Sequence, residues 1–530
     1  MNLSDDPIER ASSVANIALH RQPHAPDNHN ASIIKQTADE LRSLEHDAEL
    51  QIQALTARVD ALRRQIAIHD ALLHPWRRLP PEILSEVFRY AAPSNWSAQL
   101  VGLRILNFAQ VCHAWRCAAF AMPRLWTTLR FLPHFNPPVK HVAALRADLA
   151  KTAQAPLEVE MCMDASSRSG WGERDERWSN DVWGLLCEQA HRWEYALLKS
   201  LPMVAYERLL GRSFPLLHTL AMTVNSDDLA IQLPIRVFEN APRVHNLSIT
   251  GDSAPIHPFT LPSNWALTKL SLLFTEACTL APHVGVILAC RDTLRECHLT
   301  SDAPCANLPP PANFPFLEWL DLGGNATAFC HVFTAHNLQK LHMDTWNSLD
   351  DDLNAFVALQ SMLARSGDCP SLRILTLNSL ESGPQGRDLI ASLRSLSSLE
   401  ELGLQNRDTS DETEPNLITT DLLRAMVRDA DDPSSLAFLP NLTQLSIVFG
   451  DDYNNGADPQ DPEVRSVLRA IPQSRTQAMS VDGRALALLQ RYHNNGGGDL
   501  NACCLPPRAI PRVQDPTPSE SDVSMVEDED

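Results

Sequence analysis

The chain has 530 residues, and its 44 Lys and Arg against 65 Asp and Glu leave a net charge of −21. That length predicts two to four domains, and 44% apolar with 21% charged residues excludes global disorder. So acidic a chain is a poor phosphate-backbone binder, and it has neither an apolar run of roughly 18 residues for a membrane span nor a secretory signal. No nucleic acid and no membrane is therefore expected as a partner, and a cytoplasmic or nuclear location is expected. The 12 cysteines, from Cys112, Cys117, Cys162 and Cys187 to Cys503 and Cys504, form no C-x-x-C pair. That pattern predicts reduced thiols and neither a structural zinc nor any cofactor.

In chain order, residues 1–32 are polar and rich in Asp, Asn and Pro, which predicts a disordered lead-in. Residues 33–74 contain no Pro or Gly. Steps of four and three run through Ile34, Ala38, Leu41, Glu45, Ala48, Ile52, Leu55, Val59, Leu62, Ile66, His69 and Leu73. Such a seam predicts a coiled coil or long helix. It serves either self-association through 33–74 or a single amphipathic helix folded back on its own domain.

Residues 75–132 predict a small helical module. Pro80-Pro81 opens a helix, since the first helical position needs no N–H. Leu84, Val87, Phe88 and Ala91 follow at i, i+3, i+4 and i+7, and Pro93 stops the helix. A second helix is expected to carry Ile105, Phe108, Cys112, Trp115 and Ala119 on one face, ending at Pro123. Seven arginines against Glu82 and Glu86 give this stretch a local charge of +5.

These residues resemble an F-box. The family's L-P-x-E-I-L is matched by Leu79-Pro80-Pro81-Glu82-Ile83-Leu84 and its apolar pair by Val87-Phe88. Its V-C-x-x-W-R is matched by Val111 to Arg116, and its P-x-L-W by Pro123 to Trp126. The resemblance implies docking to the Skp-type adaptor of an SCF (cullin-RING) ubiquitin ligase. The implied adaptor-binding residues are Leu79, Pro80, Pro81, Ile83, Leu84, Val87, Val111 and Trp115, with Trp115 holding the two helices together.

Residues 155–450 repeat an apolar-x-x-apolar-x-apolar pattern, as in Leu217/Leu220/Met222, Leu267/Leu270/Leu272, Leu317/Leu320/Leu322 and Leu399/Leu402/Leu404. Period two predicts short strands with one buried face, and Asp352–Arg365 and Pro282–Arg291 predict helices between them. The pattern resembles degenerate leucine-rich repeats. The fold class expected is an α/β solenoid with parallel strands on a concave face and helices outside, preceded by the F-box-like module and the coiled coil. Residues 451–530 predict a partly disordered acidic C-terminal tail, with short helices at Pro462–Ala470 and Arg484–Tyr492.

No nucleotide-binding, serine-hydrolase or zinc-protease motif is present, so no enzyme is expected. Between the buried leucines, Glu296, His298, Trp319, Asp321, Lys340, His342 and Asp344 fall on three neighbouring strands. They read as a polar surface for an unknown protein substrate, with Trp319 as an anchor. An acid–base or metal site built from His298, Asp321, His342 and Asp344 is the enzymatic alternative. A second alternative is a non-ligase scaffold in which the F-box-like helices cap the first repeat.

Overall fold

The structure, a computed structural model, describes residues 6–15, 28–91, 111–131, 138–162, 173–224, 232–251, 259–274, 280–303, 305, 308–345, 355–379, 386–406, 417–450, 457–481 and 483–495. Ile105, Phe108, the acidic segment 407–416 and the tail beyond 495 lie outside the described residues. The chain divides into two units: Met1–Ala91 with Leu106–Ala121, and Ala92–Ile105 with Met122–Asp530.

In the first unit, helix α1 (Pro7–Val14) occupies part of the expected disordered lead-in. Its cause is local: the Asp6 carboxylate accepts a hydrogen bond from Ile8 N–H at 2.9 Å, and Pro7 takes the first turn. Helix α2 (Asn28–Leu73) runs unbroken for 46 residues and starts five residues before the expected boundary. At 1.5 Å per residue it is about 69 Å long. α1 packs on α2, with Ala11 buried and Ile34, Thr37, Ala38 and Leu41 partly buried. Helices α3 (Pro81–Ala91) and α4 (His113–Phe120) pack together. α4 is shorter than the sequence pattern predicts. Cys112 is extended at φ −160°, outside the helix, and its sulfur accepts from Trp115 N–H at 3.5 Å as an N-cap.

The second unit is built on one 13-stranded parallel sheet. Its strands are β1 (Thr128–Phe131), β2 (Leu157–Cys162), β3 (Trp193–Lys199), β4 (Thr219–Val224), β5 (Asn246–Gly251), β6 (Lys269–Phe274) and β7 (Glu296–Ser301). They continue as β8 (Trp319–Gly324), β9 (Lys340–Asp344), β10 (Ile374–Asn378), β11 (Glu401–Gln405), β12 (Gln444–Val448) and β13 (Arg491–Asn494). Neighbours follow chain order throughout, and the sheet is not closed. One-faced burial is clearest where buried and partly exposed residues alternate along a strand, as in Asn246–Gly251 and Glu296–Ser301.

The buried row is a ladder of equivalent residues. Leu220, Leu247, Leu270, Cys297, Leu320, Leu341, Leu375, Leu402 and Leu445 are register partners of one another in turn. Behind the first strands, rings continue the core: Trp183–Trp193, Trp193–Phe214 and Phe214–Phe238 have centroids 5.8, 5.6 and 4.8 Å apart.

The sheet exceeds the expected 155–450 at both ends. β1 pairs with β2 from inside the stretch assigned to the F-box-like module. Residues 484–492 are not helical. An antiparallel pair, Ser480–Val481 with Arg484–Ala485, turns at Gly483 with φ +76°, and β13 then pairs with β12. Tyr492 takes the place of the buried leucine, its hydroxyl donating to Leu468 O at 3.1 Å. The preceding helix Pro462–Arg475 outruns the expected Pro462–Ala470.

Candidate functional site

α3 carries two apolar faces. Leu84 and Phe88, four apart, are buried at 3% and 0% exposure. The rings of Phe88 and of Trp115 on α4 meet edge to face, with centroids 5.2 Å apart and planes at 63°. Trp115 is partly buried at this helix contact. The stripe Leu84, Val87, Phe88 and Ala91 therefore does not present one outer face. Leu84, assigned above to an adaptor, is buried in this structure, on the same side of α3 as Phe88.

The second face runs through Ile83, Val87 and Tyr90 at i, i+4 and i+7. Ile83 is 49% exposed, Tyr90 is 80% exposed, and Val87 is partly buried. Pro80 and Pro81 are exposed, Leu79 is partly buried, and Val111 is exposed just before α4. Tyr90 carries no family motif; its signal is the helical step from Ile83. Arg89 is tied to this face, its guanidinium 4.8 Å from the Tyr90 ring and ion-paired with Glu86 at 2.6 Å.

Two pieces of the 75–132 stretch belong to the second unit. Trp126, of the P-x-L-W match, is buried there with Lys151 Nζ 4.2 Å from its ring centroid. Arg130 on β1 pairs with Glu160 on β2 at 2.6 Å. The +5 of the stretch is thus not a property of the helices alone.

On the sheet, parallel register sets the predicted polar residues in rows. Glu296, Trp319 and Lys340 share one level, and His298, Asp321 and His342 the next. Asp344 lies beside Gly323, opposite Asn378. His298 Nδ1 donates to Asp321 Oδ2 at 3.1 Å, and His342 Nε2 lies 4.0 Å from Asp321 Oδ1. The His298 ring stands edge-on to Trp319 at 4.7 Å.

Lys269 on β6 completes this cluster and is missing from the sequence-derived set. Its Nζ lies 2.8 Å from Glu296 Oε2 and 5.7 Å from the Trp319 centroid, while Lys340 Nζ lies 5.3 Å from that centroid. Trp319 is thus bracketed by two ammonium groups. Lys269 opens its strand as Glu296 and Lys340 open theirs, so the signal was its position in the repeat.

His298 Nε2 is buried without a hydrogen-bond partner, so the register neighbour Ser271 does not engage it as a nucleophile would. Among the described residues, no group of three or more His, Cys, Asp or Glu is arranged to hold a metal ion, and no helix is long and apolar enough to cross a membrane. Cys112, Cys117, Cys187, Cys290, Cys297, Cys330 and Cys369 are free thiols. Burial pushes the thiols of Cys187, Cys290 and Cys330 up to about 12 and that of Cys369 to about 11, and it raises Cys297 further. Such thiols are neutral and unreactive.

No curated protein is similar enough to match this chain. Residues 76–132 match the model of the F-box-like family, a span that holds α3, α4 and the Phe88–Trp115 contact between them. The chain carries an F-box-like domain.

Proposed function

We propose that this chain is the substrate-recognition subunit of an SCF ubiquitin ligase. The observation that carries the reading is the F-box-like domain at 76–132, with Ile83, Tyr90 and Val111 exposed on its helices. F-box domains dock Skp-type adaptors. On this reading Leu79, Pro80, Pro81, Ile83, Val87, Tyr90 and Val111 meet the adaptor, while Leu84, Phe88 and Trp115 hold the two helices in place behind them. The parallel sheet is a degenerate leucine-rich-repeat solenoid, a reading supported by its strict chain-order topology and one-faced burial. Its open face, around Trp319, binds the target protein.

The chain then makes and breaks no bond. It raises the effective concentration of a target lysine near the ubiquitin-loaded enzyme, which other subunits of the cullin assembly supply. Such work belongs in the cytoplasm or nucleus.

Co-purification of the full chain with the Skp-type adaptor and cullin tests this. Ile83→Asp combined with Val111→Asp places two carboxylates on exposed positions, so the fold is kept while an apolar interface is spoiled. Retained binding by that variant, or no binding by the unchanged chain, refutes the proposal.

A further inference from the structure

We propose that α2 pairs with α2 of a second copy of this chain, forming a parallel two-stranded coiled coil over residues 52–73. This goes beyond adaptor docking and does not depend on it. The first part of the seam is occupied within the chain, since α1 packs on α2 and Ile34, Ala38 and Leu41 are partly buried. α1 has eight residues and spans about 12 Å, whereas Leu41 and Ile52 are about 16 Å apart along the axis. α1 therefore stops short of the rest. Glu45 and Ala48 then interrupt the seam, and beyond them Ile52, Leu55, Val59, Leu62, Ile66 and Leu73 are 44–71% exposed.

The chemistry of that second part selects its occupant. Assigned to heptads, Ile52, Val59 and Ile66 fall at a, and Leu55 and Leu62 fall at d. β-Branched residues at a with leucine at d favour two parallel strands over trimers or tetramers. His69, at the following d position, is turned along its own helix, its Nδ1–H donating to Gln65 O at 2.8 Å. Leu72 at g is exposed and widens the strip beside Leu73. A parallel pair brings both copies of Leu73 to one end. Only residues 74–80 separate Leu73 from α3, so the two F-box-like helices of the pair emerge side by side from that end.

The flanking charges supply a test of orientation. In a parallel, in-register pair, Arg58 at g faces Arg63 at e of the other copy, a like-charge contact made twice. Changing either arginine to glutamate converts both contacts to attractions; changing both restores repulsion. Arg63 also gives up an exposed pair with Asp60 at 3.5 Å, which is worth little, so Arg58→Glu is the cleaner variant.

Sedimentation equilibrium of the full chain over a range of concentrations reads the outcome. The unchanged chain is expected at twice its 58.9 kDa mass at the upper concentrations. Val59→Lys with Leu62→Lys is expected to be monomeric throughout. Arg58→Glu is expected to tighten the dimer about tenfold, and the double variant Arg58→Glu/Arg63→Glu to return it near the starting value. A tighter dimer cannot come from misfolding. A monomeric native chain, a dimer indifferent to the seam lysines, or a dimer loosened by Arg58→Glu overturns the proposal. No adaptor enters the measurement, so failure here leaves the ligase reading untouched.

Discussion

Replacing Phe88 with alanine is expected to unfold the F-box-like helices and leave the sheet folded. Phe88 has no exposed surface and supplies one of the two rings at the contact between α3 and α4. Truncating a buried phenylalanine costs about 3–5 kcal/mol. The buried side chains of α3 and α4 are otherwise only Leu84, Ala118 and Ala119. So small a core supplies on the order of 3–5 kcal/mol, so the substitution consumes essentially all of it. The sheet unit has its own continuous core and shares none of that loss. Hydrogen exchange followed by mass spectrometry resolves the two units. Peptides from 81–91 and 113–120 are expected to exchange as unfolded chain, while those from β5 to β9 keep their protection. Ile83→Asp, at an exposed position, is expected to leave both sets unchanged yet remove adaptor binding. If Phe88→Ala leaves α3 and α4 protected, the Phe88–Trp115 contact is not what holds them. If the strands open together with the helices, the two units are not independent.

Arg475 is fully buried, and burial lowers its pKa from the usual guanidinium range. Its Nε, Nη1 and Nη2 donate to Met426 O, Leu439 O and Phe438 O at 2.7, 3.1 and 3.0 Å; Leu439 O also accepts from Leu442 N–H, so Arg475→Met takes the donor from two carbonyls and one of two donors from the third, and is expected to cost about 3 kcal/mol in urea denaturation. Gly324 sits at φ +59°, where a Cβ would lie 2.5 Å from Ser301 O, so Gly324→Ala is expected to cost at least about 2 kcal/mol in the same assay. Iodoacetamide at neutral pH is expected to label exposed Cys117 and to spare Cys187, Cys290, Cys330 and Cys369 until denaturant is added; labelling of those four in the folded chain would contradict their burial.

The strands were the most legible part of the fold because their signal is local: a leucine two residues from another leucine marks a buried face whatever its neighbours do. The ends of the sheet lack that signal. β1 offers Leu129 without a second leucine, and β13 fills the leucine position with Tyr492, whose hydroxyl needs a partner that only the folded helix Pro462–Arg475 provides. α1 was legible in principle, since Asp6-Pro7 is a helix start, but the proline- and asparagine-rich composition around it points the other way. The helical faces of α3 lay beyond the pattern alone. Ile83, Leu84, Val87 and Phe88 are all apolar, and only the position of Trp115 separates the inward pair from the outward one. Lys269 was hidden for a related reason: its bond to Glu296 depends on strand register, and sequence spacing between strands varies too much to give it.

Register also narrows the candidate target surface. Much of the charge beside the open face is spent between neighbouring repeats: Arg130 on Glu160 and Lys269 on Glu296 across adjacent strands, and Arg295 on Glu318 and Arg373 on Glu400 at the residues just before the strands. Such pairs align adjacent strands, so their presence follows from the sheet itself and says little about a ligand. Asp321 is likewise engaged by His298. Lys340 stands apart, exposed, with its ammonium over the Trp319 ring. A target that approaches this face therefore meets an indole held between two cations, with its neighbouring carboxylates already satisfied. If the target binds this face as proposed, the arrangement favours a segment offering an apolar side chain to the indole and an acceptor to Lys340, with the energetic centre at Trp319 and Lys340 rather than spread evenly over the seven residues the sequence singles out.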